Sequence, residues 1–545
     1  MPLRCAPDNH TGAPRSAVGG RLGRRRAGWL CAAVLGLAAC ASDPAGSAVL
    51  RFPAAFRFGA ATSAHQVEGN QHNTWSEWET LPQFAAQVVE PSGIADDEYR
   101  RFEEDLDWVA SMGLDTYRFS VEWSRIEPVR GQIDEAALAH YRAELDALHA
   151  RGLRASVTLH HFTEPTWFVN LAGIRPGDPS SYCPEGPTPN DFCSWSNPES
   201  PSAFGTFCGV VAAALGNRVD EWMTINELTG YWLNSSVSGT FPPGLVAASE
   251  PLRSEIAMPR LRNLITAHVA CYHAIHARDR VDADGDGAPA RVGLTIGTGA
   301  VRPARPDSSG DVRAARTAEA LASFQVFDAL TGAGLDTDLD GVPDEPHPEW
   351  AGTLDLLGLQ YYASTVVVGL PFAPPFSALP CSNVEPAFLV DLELALGCPP
   401  PPTPDFPLGP EPPQRTFGLQ HDPEGLGEVL DHLVARYPAL PIVITENGFA
   451  DDADKRASSI VRHLRVAHEA IARGVPLEGY YHWSLLDNFE WGRGFGVRFG
   501  LIAVARDRDL ARSPTVAAEV YGEIARAHGL SARLLGERDG AGALP

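Results

Sequence analysis

The sequence predicts a (β/α)8 barrel, a closed ring of eight parallel strands surrounded by helices. Apolar runs typical of buried strands alternate with amphipathic helical patterns along most of the 545 residues. Eight strands separated by helices imply a parallel sheet, and eight is the number that closes a barrel. Polar and aromatic residues gather where the predicted strands end, which is the edge that carries the active site in such barrels.

Each predicted strand is short and bounded by turn residues or helical patterns. The strands are Phe56–Ala61, Thr116–Ser120, Ala155–His160, Glu221–Ile225, Arg291–Ile296, Leu354–Tyr361, Ile442–Thr445 and Gly479–Trp483. Three of the helical patterns between them cover Glu98–Met112, Glu135–Arg151 and Ala457–Arg473. Barrels of this length are commonly one domain, so we expect a single barrel over residues 52–529.

The residues at the strand ends carry chemistry rather than apolar bulk. They are His160 and His161, Asn226 and Glu227, Tyr361 and Tyr362, Glu446, and Trp483. A packing role would place such residues in the middle of strands. Their position at the ends therefore predicts a catalytic face.

Two of these residues are glutamates that close apolar runs, Glu227 in Thr224–Glu227 and Glu446 in Ile444–Asn447. Ionised carboxylates are rarely buried without a partner or a function. A pair of carboxyl groups converging from two strands is the working arrangement of glycoside hydrolysis. The sequence therefore predicts a glycosidase.

Composition and charge exclude other classes. The formal net charge is −25, which argues against a nucleic-acid partner because phosphate binding needs a basic face. Lys455 is the only lysine, which leaves little room for Schiff-base chemistry.

The N-terminus has the pattern of an export signal. Four arginines between Arg21 and Arg26 precede an apolar run over Ala27–Ala39 that is too short to span a membrane. We predict a signal peptide over residues 1–39. Leu37–Cys40 resembles the lipobox of bacterial lipoproteins, which implies acylation of Cys40; ordinary cleavage nearby is the alternative. Alanine at position 41 favours, by the same resemblance, an outer-membrane location, periplasmic or on the cell surface, with residues 40–51 as a tether.

Export to an oxidising compartment gives the cysteines a structural meaning. Six follow Cys40, and the sequence leaves their connectivity open. Short closures are natural for Cys183 with Cys193 and for Cys381 with Cys398. These pairs lie in the proline-rich segments 175–197 and 370–415, which we interpret as loop insertions. Cys208 and Cys271 fall in helical patterns and form either buried thiols or a third bridge. Residues 530–545 are predicted to be a disordered tail.

The chain resembles glycoside hydrolase family 1, the β-glucosidase and β-galactosidase family, over residues 52–529. The motifs that carry the resemblance are Phe58–Gln66 with Glu68–Gly69, Tyr117–Ser120 with Trp123, Leu159–Phe162, Thr224–Glu227, Ile444–Gly448 and Trp483–Trp491. A single Asn-Glu pair is common in unrelated proteins. The ordered set, on successive strands, is specific.

The resemblance implies a role for each catalytic residue. Glu446 matches the nucleophile and Glu227 the general acid/base, so their pKa values must differ. Arg118 matches an arginine that keeps the nucleophile charged, and Tyr362 a tyrosine that donates to it. A retaining mechanism follows, with the carboxyl groups about 5 Å apart. This mechanism requires no cofactor.

The same resemblance also implies which residues form the sugar pocket. Residues that match hydrogen-bonding positions around the sugar are Gln66, His161, Asn226, Glu490 and Trp491, with Asn226 at the 2-hydroxyl. Trp483 matches the indole of the pocket floor. As single residues, Trp483 could instead be core and His161 a structural histidine.

Three positions depart from the family pattern. Leu228 replaces the proline that usually follows the acid/base, which removes one restraint on Glu227. Gln360 replaces an asparagine beside the nucleophile, and Gly492 replaces another small residue, which we expect to be a mild change. None of the three removes a catalytic group.

Two acidic loops have the alternating carboxylates of calcium sites. Asp336, Asp338, Asp340 and Asp344 form one candidate for a structural calcium ion, and Asp282, Asp284 and Asp286 a shorter one. Solvated acidic turns are the alternative.

The sequence thus favours an exported, lipid-anchored β-glycosidase that acts on β-linked oligosaccharides or glycosides, with β-glucosidase as the preferred activity. β-Galactosidase, β-fucosidase and transglycosidase activities remain open. The alternative from another class is a non-catalytic surface lipoprotein that binds carbohydrate on an inherited barrel.

Overall fold

In the computed structural model, eight parallel strands pair side by side until the ring closes. We label them β1–β8 in chain order: Arg57–Ala61, Thr116–Ser120, Arg154–His160, Glu221–Ile225, Arg291–Thr298, Leu356–Tyr361, Ile442–Asn447 and Leu477–Trp483. The ring closes where β8 pairs with β1 in parallel register. The predicted (β/α)8 fold is confirmed, and each predicted strand end lies within two residues of the observed one.

A helix follows each barrel strand and packs on the outside of the ring. These helices, α1–α8, are Glu98–Ser111, Glu135–Ala150, Ser200–Leu215, Met258–Arg278, Ser309–Glu319, Pro423–Arg436, Ala453–Ala472 and Val516–Ala527. Helix α2 shows why they begin where they do: the Asp134 carboxylate accepts hydrogen bonds from the first-turn amides of Ala136 and Ala137. Helix α7 begins four residues before the predicted start because Asp452 caps it.

Shorter elements decorate the barrel. The α-helices are Ala64–Val67, Thr74–Trp78, Trp123–Ile126, Leu228–Ser236, Gln325–Thr331 and Ala532–Arg538, and the π-helical turns are Arg253–Ala257 and Ala320–Phe324. The additional strands are Ala48–Arg51, Val301–Pro303, Thr365–Gly369, Ala378–Pro380, Ile502–Ala505, Ala511–Pro514 and Gly529–Ser531. The structure describes residues 48–188, 191–247, 253–285, 287, 289–332, 334–371, 377–381, 398 and 421–539. Residues 1–39, Cys40, Asp286 and most of segment 370–415 lie outside the described residues.

The interior of the ring is packed, so the barrel has a floor. Met223, Leu356, Val443 and Tyr481 come from four strands and form a separate buried cluster. Below it, the Glu221 carboxylate forms an ion pair with Arg57 at 2.5 Å and accepts a hydrogen bond from the Tyr481 hydroxyl at 3.0 Å. A buried ion pair with an additional hydrogen bond satisfies both charges. Within the ring of described strands, space for a ligand therefore lies at the carboxyl ends.

Three disulfide bridges join the six cysteines that the structure describes. Cys183 pairs with Cys193 and Cys381 with Cys398, which are the two short closures that the sequence allows within its loop insertions. Cys208 of α3 pairs with Cys271 of α4, with their Cα atoms 5.3 Å apart. These two cysteines therefore form a third bridge rather than buried thiols. Two adjacent outer helices are therefore covalently joined beside β4, the strand that leads to Glu227.

The predicted boundaries at both termini were partly wrong. Strand Gly529–Ser531 pairs antiparallel with Ala48–Arg51, and helix Ala532–Arg538 follows it. The side chains of Leu530 and Leu534 are fully buried, so burial of apolar surface holds this segment on the barrel. The disordered tail is thus incorrect for residues 530–538, and the last four residues of the predicted tether form a strand.

Across the stretches of chain that the structure describes, none of the helices combines the length and apolar character that a membrane crossing requires.

Candidate active site

Glu446 lies near the end of β7, where the strand departs from regular pairing. The register with β6 shifts between Ile444 and Glu446. Side chains alternate along a regular strand, so Glu446, three positions after the inward-facing Val443, would otherwise face outward. A bulge re-aims the side chains that follow it. The shift brings the Glu446 carboxylate into the mouth of the barrel.

Three donors converge on the Glu446 carboxylate. Arg118 Nη1 lies 2.5 Å from Oε1, Gln360 Nε2 lies 2.7 Å from the same oxygen, and the Tyr362 hydroxyl lies 2.6 Å from Oε2. Burial raises the pKa of Glu446, whereas the charge of Arg118 and the Tyr362 hydrogen bond act to lower that pKa. These donors stabilise the ionised form.

Asn226 continues the same network toward the opposite wall. Its Oδ1 accepts from Arg118 Nη2 at 2.6 Å and from Gln360 Nε2 at 2.7 Å, which fixes the amide orientation. Its Nδ2 then lies 3.2 Å from His161 Nε2. Burial and the charge of Arg118 hold the pKa of His161 well below its ordinary value, so the ring is neutral and accepts this hydrogen bond.

Glu227 occupies the turn between β4 and helix Leu228–Ser236. Its backbone is left-handed, with φ of 41°, and its N–H donates to Thr295 Oγ1 at 2.8 Å. The carboxyl group fits because Gly297 on β5 has no side chain: a Cβ there would lie 2.2 Å from Glu227 Oε1. Gly230 is also close, since its Cβ would lie 3.2 Å from Oε2.

The two glutamates have different environments. Burial, together with the negative charge of Glu446, raises the pKa of Glu227 to about 8. Two like charges in one desolvated site cannot both ionise easily, and Arg118 resolves the competition in favour of Glu446. At neutral pH, therefore, Glu227 holds a proton while Glu446 is the stabilised carboxylate.

A cavity of about 660 Å³ opens above these residues. Nine of the ten predicted catalytic and sugar-binding residues line it: Gln66, His161, Asn226, Glu227, Tyr362, Glu446, Trp483, Glu490 and Trp491. The tenth, Arg118, is fully buried beneath them. The structure thus brings together every residue predicted for the site.

The cavity walls combine aromatic faces with fixed amides. The His161 ring stacks against Trp483 at 5.9 Å and against Trp491 at 6.1 Å between ring centroids. Gln66 is held in place because Ser63 Oγ donates to its Oε1 at 2.6 Å and its Nε2 donates to the Phe489 carbonyl at 2.7 Å. Flat apolar faces with a few placed polar groups suit a ring that carries hydroxyl groups.

Glu490 is the third carboxyl of the cavity. Burial and the charge of Glu446 raise the pKa of Glu490 to about 8, against a lowering effect from Arg493. Gln66 Nε2 lies 3.5 Å from its Oε2. At neutral pH Glu490 is mostly protonated, so it can both donate and accept hydrogen bonds.

The departures from the family pattern have structural consequences. Because Leu228 follows Glu227, the backbone of Glu227 lacks the restraint that a following proline would give. The hydrogen bond from Glu227 N to Thr295 Oγ1 restrains this backbone instead. Gln360 reaches both Glu446 and Asn226 with one amide nitrogen. At Gly492 a Cβ would lie 2.5 Å from the Gln87 carbonyl oxygen, so glycine allows the close approach of the two segments.

Several residues of the site were not predicted from the sequence, and three of them bear on its chemistry. Thr295 and Gly297 on β5 position Glu227, and Gln87 lines the cavity. The predicted end of β5 at Ile296 marked the right place for the first two. Nothing near Gln87 in the sequence indicated that it would reach the site.

The acidic loops lie away from the cavity lining. Carboxylate oxygens of Asp336, Asp338 and Asp340 lie within 4.8 Å of one another. Asp344 does not join this cluster; its Oδ2 accepts from Thr337 N and Oγ1 at 2.8 and 2.6 Å.

At the second acidic loop, the carboxylates that cluster differ from the predicted set. Asp282 and Asp284 cluster with Asp220, which the sequence reasoning did not name. Calcium binding at either loop stays a prediction.

A (β/α)8 barrel with two buried glutamates beneath an aromatic cavity has the architecture of a glycoside hydrolase. The model of glycosyl hydrolase family 1 matches residues 49–175 and 188–530. The chain belongs to glycosyl hydrolase family 1.

Individual relatives agree in fold and length. A β-galactosidase of Pyrococcus woesei is 28% identical over 504 residues, covering 83% of this chain and 92% of the relative. A bifunctional β-D-glucosidase/β-D-fucosidase of Bifidobacterium breve is 29% identical over 491 residues, covering 83% and 94%. Among solved structures, a β-glycosidase from Pyrococcus horikoshii superposes with a TM-score of 0.71 at 29% identity, covering 91% of this chain and 99% of that one.

The contact between Gly297 and Glu227 gives a testable prediction. In a Gly297→Ala variant the new methyl group displaces the Glu227 carboxyl, and we expect kcat/KM for aryl glycosides to fall about 10²-fold. Gly230→Ala, with a longer contact, should have a smaller effect. Gly209→Ala is the control, since its Cβ would meet Ala274 at an ordinary 3.7 Å.

The leaving group distinguishes displacement of Glu227 from general damage. A displaced proton donor affects poor leaving groups more than good ones. An equal loss for all aryl glycosides, or full activity of Gly297→Ala, would contradict the assigned role of Gly297.

Proposed function

We propose that this protein is a retaining β-glycosidase in which Glu446 is the nucleophile and Glu227 the general acid/base. The observation that carries the proposal is the asymmetry between the two glutamates. Three donors hold Glu446 as a carboxylate, whereas burial raises the pKa of Glu227 to about 8. This is the pair of protonation states that double displacement requires at neutral pH.

In the first step, a Glu446 carboxylate oxygen forms a bond to the anomeric carbon as the bond from that carbon to the aglycone oxygen breaks. Glu227 transfers its proton to the departing oxygen. Glu446 becomes an ester and loses its negative charge. Because that charge raised the pKa of Glu227, the pKa falls, which prepares Glu227 to act as a base.

In the second step, Glu227 takes a proton from a water molecule whose oxygen bonds to the anomeric carbon. The ester bond to Glu446 breaks, and Arg118 and Tyr362 again stabilise the carboxylate that is released. Two displacements on opposite faces leave the anomeric configuration unchanged.

The pocket supports a terminal β-linked glycosyl residue as the substrate group. Asn226 is placed to bind the 2-hydroxyl, Trp483 to pack on the C–H face of the ring, and Gln66, His161, Glu490 and Trp491 to bind other hydroxyl groups. We favour glucose as this residue. The names of the relatives, a β-galactosidase and a β-D-glucosidase/β-D-fucosidase, make galactose and fucose the alternatives to test.

A panel of chromogenic aryl β-glycosides tests the proposal. We expect release of aglycone, fastest from the β-glucoside. A purified protein that binds sugars but releases no aglycone would instead be a carbohydrate-binding lipoprotein. Product analysis with an added alcohol or sugar acceptor distinguishes hydrolysis from transglycosylation. The proposed mechanism uses no cofactor, and calcium at Asp336–Asp340 would have a structural role only.

Azide rescue tests which glutamate has which role. Glu446→Gly should abolish hydrolysis, and azide entering the vacated space should restore turnover and give a glycosyl azide of inverted configuration. Glu227→Ala should lose about 10²–10⁴-fold on poor leaving groups, and azide should give the retained product. Exchanged products from the two variants would show that the roles are reversed.

The pH dependence of kcat/KM should have two limbs. Since the pKa of Glu227 is raised to about 8, the proton needed for the first step is held at lower pH and lost as the pH rises through that value. Activity also falls at low pH as Glu446 becomes protonated. Removing a donor to Glu446 raises its pKa, so Tyr362→Phe should move the low-pH limb upward.

Tyr361→Phe is the control for this profile, since the Tyr361 hydroxyl donates to the Asp422 carbonyl at 2.5 Å and is not bonded to Glu446. It should leave the low-pH limb in place. A Tyr362→Phe variant that shifts only the high-pH limb would contradict the assignment of the two limbs.

Lipid attachment at Cys40 is a separate proposal, supported by the sequence of residues 21–40. We expect the mature chain to begin at Cys40, to carry lipid and to sediment with membranes, and Cys40→Ser to yield soluble enzyme with unchanged kcat/KM. A stable membrane attachment needs more than one acyl chain, so mass spectrometry should find several on this residue. An unmodified mature N-terminus elsewhere would contradict the proposal.

A further inference from the structure

Gln87 reaches the cavity on a segment that precedes α1 and lies outside the motifs that carry the other predicted lining residues. It ends the short 3₁₀ helix Pro82–Gln87 and lines the cavity beside the Trp491–Arg493 turn. Neither the two glutamates nor the predicted sugar-binding set depends on it.

Two glycines create the space that this segment occupies. A Cβ at Gly492 would lie 2.5 Å from the Gln87 carbonyl oxygen, and one at Gly494 would lie 2.5 Å from Glu90 Cγ. Two hydrogen bonds fasten the segment there: Val89 N donates to the Gly492 carbonyl at 3.0 Å, and Phe495 N donates to Glu90 Oε1 at 2.9 Å. The position of Gln87 is therefore built into the fold.

The side-chain oxygen of Gln87 lacks a donor. Oε1 is shielded from bulk water and has no hydrogen-bond partner among the described residues. A shielded amide oxygen without a donor is unfavourable, so a small rotation of the side chain toward a ligand hydroxyl is favourable. An acceptor at the cavity wall is one that a bound sugar can use.

We propose that Gln87 is a specificity-determining residue that accepts a hydrogen bond from a hydroxyl at C4 or C6 of the bound sugar. This inference rests on the proposed function for the identity of the ligand. Glu446, Glu227 and Asn226 take the anomeric carbon and the 2-hydroxyl. The turn that holds Gln87 follows Glu490, which the proposed function assigns to one of the remaining hydroxyl groups. Sugars that lack the hydroxyl in question lose this contact.

Equilibrium binding to glucose, 4-deoxyglucose and 6-deoxyglucose tests the inference without relying on catalysis. Tryptophan fluorescence is a suitable signal because Trp483 and Trp491 line the cavity. Gln87→Met keeps the length of the side chain and removes the acceptor. We expect it to weaken glucose binding about 3- to 10-fold and to leave binding of one of the two deoxy sugars unchanged.

Gln83→Met is the matched control on the same short helix. The Gln83 amide nitrogen donates to the Leu171 carbonyl at 3.3 Å, and Gln83 is not part of the cavity lining. This variant should bind all three sugars as the wild type does. If Gln87→Met weakens all three sugars equally, or none of them, the inference is wrong.

The outcomes separate this inference from the proposed function. If the wild type hydrolyses aryl glycosides but Gln87→Met binds the three sugars as the wild type does, only the inference is wrong. If Gln87→Met changes sugar binding as expected but the wild type releases no aglycone, the inference is supported and the hydrolytic function is wrong. A wild type that binds none of the sugars overturns the inference whether or not aryl glycosides are cleaved.

Discussion

The site depends on the buried guanidinium of Arg118. It is fully buried, and it is bonded to the Glu446 carboxylate on β7 and to the Asn226 amide at the end of β4. A charge in that position must be paired, because removing one partner of a buried pair typically costs about 3–5 kcal/mol. The need to satisfy this one cation therefore ties two distant strands of the ring together and fixes the orientation of the groups that meet the sugar.

The same cation separates the roles of the two glutamates. Both lie in a desolvated cavity, and burial raises the pKa of each. Arg118, Gln360 and Tyr362 all contact Glu446, so its negative charge is the one that persists, and that charge then raises the pKa of Glu227. The difference in protonation between the glutamates is thus a property of the network as a whole. Glycine at 297 adds a steric condition, because it leaves room for the protonated carboxyl.

Much of the barrel could be predicted because buried parallel strands leave a strong local signal. The strand Thr116–Ser120, for example, is buried at every position, and its predicted bounds were correct. The catalytic residues were accessible through motifs that stand at strand ends. Gln87 was not, because its position is set by contact with Gly492, far along the chain. The strand Gly529–Ser531 was missed because three residues are too few to show a period, and its partner lies at the other end of the described chain. The register shift before Glu446 likewise arises from pairing between strands rather than from local sequence.

The three carboxyl groups of the cavity also determine how its electrostatic potential changes with pH. With Glu227 and Glu490 protonated, the charge of Glu446 is balanced by Arg118, and Arg493 adds a second cation at the edge of the cavity. Both raised pKa values are about 8, so two negative charges develop over the same range as the solution becomes alkaline. Neighbouring groups that titrate together do so over a broadened range, since each ionisation opposes the next. The cavity thus becomes more electronegative as the pH rises, which favours protonated amines and disfavours sugar acids.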